Sequence, residues 1–263
     1  MGEILGHQAS GVTPLTREQG VSLLTGRLDG LGIAYDPHAP DRLWDYHVLL
    51  SQWNQNMNLT GETDFDTALD RLYMDSLAPL AIAGLFPQEA KLVDVGSGAG
   101  FPGLPLAIVR PDMQVLLLDS QAKRIGFLDT VADALGLARV QTLHSRAEDA
   151  GQTPQLRESF DVAVARAVAP LAVLCELMLP LVRVGGRMIC YKGPSVGEEW
   201  DVGNRAAMML GGGALLSYPV TLPSQPDWRH HAVVCEKMQK TFRQYPRKAG
   251  VPVRKPLGDV DKR

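Results

Sequence analysis

Apolar residues recur at helical spacing through the first third of the chain. Leu24 and Leu28 lie on one helical face, and Leu43 and Leu50 begin a second pattern of the same kind. Glycines end the first pattern, and a proline followed by an aspartate precedes the second. The spacing therefore predicts that residues 17–86 form a set of helices.

The pattern changes at Lys91, where short continuous apolar runs begin to alternate with helical stretches. The predicted strands are residues 91–95, 114–118, 139–143, 160–165 and 187–191. Strands that are apolar throughout, with helices between them, are typical of a parallel sheet covered on both faces. Two later runs, residues 214–222 and 230–237, predict an antiparallel pair that closes the sheet.

Composition narrows the class of protein. With 263 residues, 45% hydrophobic and 21% charged, the chain has the make-up of one large globular domain or a domain with an appendage. Three scattered cysteines without a Cys-x-x-Cys pair indicate neither a disulfide framework nor a zinc site, and we expect no metal. We find no signal peptide and no apolar run of about 18 residues. We therefore expect a cytoplasmic protein without a membrane span.

Charge is distributed unevenly along the chain. The net charge is −3, but residues 237–263 carry nine basic and two acidic side chains, whereas the preceding 236 residues carry 17 basic and 27 acidic ones. A basic end on an acidic body indicates an anionic partner. The contact with phosphate that we predict for this end is sequence-independent and sensitive to salt.

A glycine-rich segment, DVGSGAGF at residues 94–101, follows the first predicted strand. Three glycines allow a tight turn and let a ligand approach the backbone, and the helix that follows offers free N–H groups. The next strand ends in Asp119, whose carboxylate can accept both hydroxyls of a ribose. This combination predicts a cofactor that contains adenosine.

The glycines alone leave the cofactor open, because Gly98 to Gly103 also match the dinucleotide pattern G-x-G-x-x-G. Asp94, two residues before the first glycine, could orient the loop or reach an amino-acid portion of the ligand. Phe101 and Pro102 stand where a dinucleotide-binding helix would receive a pyrophosphate. These features favour S-adenosylmethionine over a dinucleotide or a turn that binds nothing.

Residues 94–108, DVGSGAGFPGLPLAI, resemble the signature of the small-subunit ribosomal RNA guanine-N7 methyltransferases, the RsmG or GidB family. Further segments resemble that family in the same order: residues 54–60, 75–77, 118–128, 145–148, 165–167, 192–193 and 245–257. Several motifs in the right order are far more specific than one. The resemblance covers roughly residues 20–258.

The resemblance implies an α/β fold of the class I S-adenosylmethionine-dependent methyltransferases, a Rossmann-like mixed seven-stranded sheet with an N-terminal helical extension. The expected divisions are a flexible segment and helical extension (1–86), the methyltransferase domain (87–238) and a basic tail (239–263). The implied reaction is methylation of guanine N7 in a 16S ribosomal RNA loop near the decoding region. The implied partner is this RNA in the small ribosomal subunit or an assembly intermediate, and we expect a monomer.

Two other functions stay open at this point. One is a methyltransferase for another RNA guanine or for a small molecule. The other is an oxidoreductase or sensor that binds a dinucleotide.

The resemblance also implies site residues. The implied cofactor-binding residues are Asp94, Gly96, Gly98, Gly100, Phe101, Asp119, Ser120, Ala147, Glu148 and Arg166. Asp119 would hold the ribose, Ala147 and Glu148 would lie near the adenine, and Arg166 would stand beside the cofactor and the incoming guanine. At Leu72 family members often have His, which puts in doubt a catalytic role for that position.

The chemistry requires little of the protein beyond placement. Guanine N7 has a free lone pair and loses no proton on attack, so no general base is needed and alignment should dominate. We predict Arg166 as the catalytic residue, reading guanine O6 through a single contact or holding a phosphate. The predicted RNA-binding residues are Arg124, Lys192, Arg243, Arg247 and Lys248.

The tryptophans and one pair of histidines have a simpler interpretation than binding of a ligand or a metal. The four tryptophans are predicted as core or rim residues, with stacking on a nucleobase as the alternative. His230 and His231 are neighbours that would point to opposite faces of a strand, so we predict no metal there.

Overall fold

A mixed sheet forms the centre of the molecule. In the computed structural model, which describes residues 15–62 and 64–259, seven strands are joined in the order β3-β2-β1-β4-β5-β7-β6. They are β1 (Lys91–Val95), β2 (Gln114–Asp119), β3 (Val140–His144), β4 (Phe160–Arg166), β5 (Val182–Lys192), β6 (Leu216–Leu222) and β7 (Gln225–Glu236). Strands β1 to β5 are parallel, and β7 is antiparallel to both of its neighbours. The predicted α/β class, the parallel sheet and the closing antiparallel pair are confirmed.

Helices cover both faces of the sheet, which is why its inner strands are apolar throughout. Their bounds are α5 (Gly103–Val109), α6 (Ala122–Ala134), α7 (Ala147–Gln152), α8 (Leu171–Met178) and α9 (Trp200–Met209). In β1 the side chains of Leu92 and Val93 point to opposite faces, and both are fully buried.

The N-terminal helices are confirmed and pack against the sheet domain. They are α1 (Arg17–Leu31), α2 (Ala39–Met57), α3 (Phe65–Ala68) and α4 (Asp75–Leu77), with a π-helical turn at Leu69–Met74 and a 3₁₀ turn at Ala78–Ala81. A capping box of Thr16 and Gln19 begins α1. One apolar cluster joins Tyr46 of α2 to Leu104 of α5. The first ten residues, predicted to be frayed, lie outside the described residues.

The C-terminal segment packs against the domain, and this corrects one part of the charge argument. Lys237, counted above among the nine basic side chains of residues 237–263, is fully buried, so its predicted contact with phosphate is wrong. Its Nζ donates to Thr241 Oγ1 at 2.6 Å and lies 3.4 Å from Glu158. Burial lowers the pKa of Lys237 to about 8.

Further polar contacts hold the same segment in place. Arg247 forms an ion pair of 2.6 Å with the buried Glu176 of α8, and the carboxylate of Glu148 accepts the N–H of Gly250 at 2.8 Å. A short helix, α10 (Val251–Arg254), follows and contacts α8. In the described part of the chain, no helix is long and apolar enough to cross a membrane.

Candidate active site

The glycine-rich loop connects the carboxyl end of β1 to α5. Gly96, Gly98 and Gly100 all have positive φ angles, of +76°, +57° and +100°. A Cβ on Gly96 would lie 2.8 Å from Val168, and one on Gly100 would overlap Leu104. On Gly98 the nearest atom would be 3.9 Å away. Packing thus requires glycine at positions 96 and 100, whereas Gly98 faces open space.

Asp119, at the carboxyl end of β2, binds this loop. Its Oδ2 accepts the N–H of Gly98 at 2.9 Å, and its Oδ1 accepts the N–H of Gln121 at 2.8 Å. Arg124 of α6 lies 3.4 Å from Oδ2. The carboxylate therefore joins the loop after β1 to the start of α6.

Asp94 lies beneath the loop and is fully buried. Its Oδ2 accepts the N–H of Gly103 at 2.9 Å, whereas Oδ1 has no hydrogen-bond partner among the residues that the structure describes. Burial raises the pKa of this carboxyl to about 7, against the lowering effect of the Gly103 N–H. Buried polar atoms are normally hydrogen-bonded, so this oxygen can accept a hydrogen bond from a donor on a ligand.

A first cleft, of about 440 Å³, opens where β1, β2 and β4 end. It brings together seven of the predicted residues: Gly96, Gly98, Phe101, Asp119, Ser120, Arg124 and Arg166. Asp94 and Gly100 shape the loop from behind. A cleft at the carboxyl ends of parallel strands is the usual ligand site of open α/β sheets.

The structure does not bring Ala147 and Glu148 into the lining of this cleft. The carboxylate of Glu148 is directed to the C-terminal segment, where Gly250 donates to it. The expected position of Ala147 and Glu148 beside the adenine therefore stays a prediction.

Arg166 ends β4 and is held by the π-helical turn and the residues after it. Its Nη1 donates to the carbonyl of Leu72 at 3.2 Å and to Ser76 Oγ at 3.1 Å, and it lies 3.5 Å from Asp75 Oδ2. The guanidinium stands over the Phe101 ring, 5.0 Å from its centroid. The side chain is thus fixed on several sides while it lines the cleft.

A second cleft, of about 560 Å³, shares Leu72, Arg166 and Ala167 with the first. Lys192 lies in it, and its Nζ forms an ion pair with Glu199 at 2.8 Å. Trp228 also lines this cleft.

The sequence predictions assigned no site role to Asp75 or His230 of the second cleft, and for Trp228 they gave base stacking only as an alternative to a core or rim position. The signal was the i, i+2 spacing of Trp228 and His230, which places both on one face of a strand.

The predicted RNA-binding residues of the C-terminal segment separate into two groups. Arg243 and Lys248 are exposed. Arg247 instead donates to both oxygens of Glu176, at 2.8 and 2.6 Å, so its guanidinium already has a buried partner. This internal ion pair disfavours its expected contact with RNA, which stays a prediction.

Comparisons with known proteins agree with this geometry. The family model described as rRNA small subunit methyltransferase G (GidB) matches residues 40–224. The ribosomal RNA small subunit methyltransferase G of Alkaliphilus metalliredigens is 43% identical over 227 residues, 86% of this chain and 94% of that protein. The protein of the same name from Lactobacillus delbrueckii is 44% identical over 213 residues, 81% of this chain and 89% of that protein.

Among solved structures, a chain of the complex between the Haloferax volcanii Trm112 methyltransferase activator and a putative methyltransferase has a similar fold. The TM-score is 0.50 at 13% identity, over 72% of this chain and 98% of that chain. The sheet order, the glycine loop and the acid that ends β2 define a class I methyltransferase. The chain belongs to the rRNA small subunit methyltransferase G (GidB) family, which confirms the family suggested by its motifs.

Proposed function

We propose that the protein methylates N7 of a guanine in the 16S ribosomal RNA, in a loop near the decoding region, with S-adenosylmethionine as the donor. The observation that carries this proposal is Arg166, fixed at the wall between two clefts in a chain of this family. The first cleft would hold the cofactor and the second would admit the methyl acceptor.

The first cleft suits this cofactor in two respects. Gly98 leaves open space beside the loop, and Asp94 has a buried oxygen without a partner among the described residues. Gly96 and Phe101 would contact the methionine portion, and Asp119 would accept the ribose hydroxyls. When bound, S-adenosylmethionine supplies a methyl group on a positively charged sulfur.

The protein's own contribution is placement. N7 of guanine attacks with its lone pair and releases no proton, so the reaction needs no base, and holding the two reactants in line supplies most of the acceleration. Arg166 can donate to O6 of the base through one N–H, which leaves N7 free. The hydrogen bonds from its Nη1 to Leu72 and Ser76 hold the whole guanidinium group in one position.

The finer setting is also part of the proposal. We propose that a monomer acts in the cytoplasm on the small ribosomal subunit or an assembly intermediate. The three free cysteines are buried, which is compatible with a reducing compartment.

Methylation of purified RNA tests this function. The protein is incubated with labelled S-adenosylmethionine and either naked 16S RNA or small-subunit particles, and the product nucleotide is mapped by mass spectrometry. We expect 7-methylguanosine at one position. Modification of another guanine or of a small molecule would overturn the proposed substrate. Binding of a nicotinamide dinucleotide in place of S-adenosylhomocysteine would overturn the proposed reaction as a whole.

Cofactor affinity should depend on pH through Asp94. Below its folded pKa of about 7 this carboxyl is protonated, and a cationic ligand favours the ionised form. The affinity for S-adenosylmethionine should therefore rise with pH, by at most about tenfold per pH unit, and level off above about pH 7. Calorimetry across this range measures the profile.

The Asp94→Asn variant should bind with a flat profile in the same range. A matched control is Asp161→Asn at the opposite end of the sheet, where Arg183 and the Lys91 N–H lower the carboxyl pKa, so its titration falls outside the range. A wild-type profile without a slope below pH 7 would contradict the role of Asp94.

Salt dependence should identify the phosphate contacts of the C-terminal segment. The double variant Arg243→Gln/Lys248→Gln should bind RNA more weakly. The log of its association constant should decrease less steeply with log salt, by about 0.7–0.9 in slope per lost contact. Filter binding at several salt concentrations measures the slope, and cofactor affinity should stay unchanged.

Arg247→Gln is the control from the same segment. It leaves the buried Glu176 without its cation, so it should lower stability by about 3–5 kcal/mol but leave the salt slope unchanged. Equal slopes for the double variant and the wild type would remove Arg243 and Lys248 from the RNA interface.

A further inference from the structure

The second cleft has the composition of a nucleobase site. It shares Arg166 with the first cleft. Its far wall comes from the last residues of β5 and from the first half of β7, which runs antiparallel to β5. A methyl acceptor must approach the cofactor from a side that the cofactor does not fill, and the second cleft meets the first at Arg166. If the protein acts as proposed above, the base to be methylated would enter this cleft.

The aromatic wall of this cleft is made by Trp228 and His230. They are two residues apart on β7 and therefore lie on the same face of the strand, with ring centroids 4.2 Å apart. The indole Nε1 and the imidazole Nδ1 both lie 3.0 Å from Oδ1 of Asp75. One buried carboxylate oxygen thus fixes both rings.

The same carboxylate also reaches Arg166, because its second oxygen lies 3.5 Å from Nη1 of that arginine. Next to it in the chain, the carbonyl of Ser76 accepts the hydroxyl of Tyr191 at 2.9 Å. Asp75 therefore links the aromatic wall to the arginine that faces the cofactor cleft. A displacement of either one would be transmitted to the other.

The lining of the cleft favours guanine over a simple anion. A phosphate site needs no aromatic wall. The cations that line this cleft already have carboxylate partners: Arg71 with Glu62, Arg166 with Asp75 and Lys192 with Glu199. Aromatic rings offer stacking to a base, and Arg166 offers a donor to O6. The carboxylate of Glu62 accepts from Arg71 at 3.2 Å and has lone pairs left for the N1 and N2 protons of guanine, whereas adenine has no proton at N1.

We propose that Trp228 and His230 form the stacking wall of a guanine-binding subsite in the second cleft, and that Asp75 is the positioning residue that holds this wall and Arg166 together. The guanine in this subsite is the methyl acceptor. Asp75, Trp228 and His230 are not among the residues that line the cofactor cleft, so the affinity for the cofactor can be measured separately from that of the subsite.

Steady-state methylation of the RNA tests the wall. Trp228→Leu and His230→Ala should each lower kcat/KM for RNA by about 10-fold or more, as loss of one base–aromatic stack does. The affinity for S-adenosylhomocysteine should not change. Trp228→Phe, which keeps a ring but loses the bond to Asp75, should fall between Trp228→Leu and the wild type.

His231→Ala is the matched control, because His231 points to the other face of β7 and bonds Ser217 at 2.9 Å. It should keep the wild-type kcat/KM. Asp75→Asn should raise KM and lower kcat together at unchanged cofactor affinity. If that variant does not fold, Trp228→Leu and His230→Ala still decide the proposal, and wild-type values in both would overturn it.

A measurement without turnover separates this proposal from the proposed function. The protein, saturated with S-adenosylhomocysteine, is irradiated with 16S RNA that contains 6-thioguanosine, and crosslinked peptides are identified by mass spectrometry. We expect crosslinks in residues 225–236, lost in Trp228→Leu. Crosslinks only elsewhere would overturn the subsite even if methylation is found, whereas a protein that crosslinks here but transfers no methyl group would overturn the proposed reaction alone.

Discussion

Gly98→Val is expected to abolish cofactor binding while the protein stays folded. A Cβ at this position meets no atom of the described residues closer than 3.9 Å, so the side chain would project into the first cleft. A β-branched residue at a φ of +57° adds left-handed strain of about 1–2 kcal/mol. Since each 1.4 kcal/mol is tenfold in affinity, a steric block within the cleft should cost about 100-fold or more.

Gly136→Val separates strain from the loss of ligand space. Gly136 has a φ of +61° and open surroundings, as Gly98 has, but it follows α6 away from the first cleft. Calorimetry with S-adenosylhomocysteine and thermal unfolding should show equal stability losses in the two variants and lost binding only in Gly98→Val. Retained affinity in Gly98→Val would remove the loop from the cofactor site.

Arg166→Ala should lower kcat by about 100-fold, the loss expected when a donor that aligns the reacting groups is removed. Its removal leaves Ser76 bonded to the carbonyl of Leu72, and Asp75 bonded to Trp228 and His230. The local fold should therefore persist. Single-turnover methylation, with enzyme in excess over RNA, measures the chemical step directly.

Two further arginine variants sharpen this experiment. Arg166→Lys keeps the charge but loses the planar fork, so it should recover only part of the rate. Arg187→Ala, on β5 at the opposite end of the sheet where the guanidinium bonds the carbonyl of Gly84, should keep the wild-type rate. A wild-type rate in Arg166→Ala would exclude this arginine from the reaction.

The sheet and the glycine loop could be predicted because their signals are local. Buried parallel strands are continuous apolar runs, and the loop needs glycine wherever a Cβ would meet Val168 or Leu104. Helix α9 escaped prediction because its buried face is made of the small residues Gly203, Ala206 and Ala207. Its large apolar residues, Met208 and Met209, are exposed.

The roles of charged residues could not be predicted, because their partners are distant in the chain. Arg247 is neutralised by a glutamate 71 residues earlier, and Glu148 accepts from a backbone N–H 102 residues later. Asp75 bonds a tryptophan 153 residues away. Counting charges along a sequence measures none of these pairings, so it overestimated the basic surface and overlooked the carboxylate at the second cleft.

The contact between Tyr46 and the glycine loop links two positions that are far apart in the sequence. The hydroxyl of Tyr46 donates to the carbonyl of Ala99. A Cβ on Gly100 would lie 2.8 Å from the hydroxyl oxygen of Tyr46. A larger residue at position 100 would therefore have to displace both Tyr46 of α2 and Leu104 of α5. We therefore expect the helical extension and the glycine loop to have changed together across related proteins, because their side chains fill the same space.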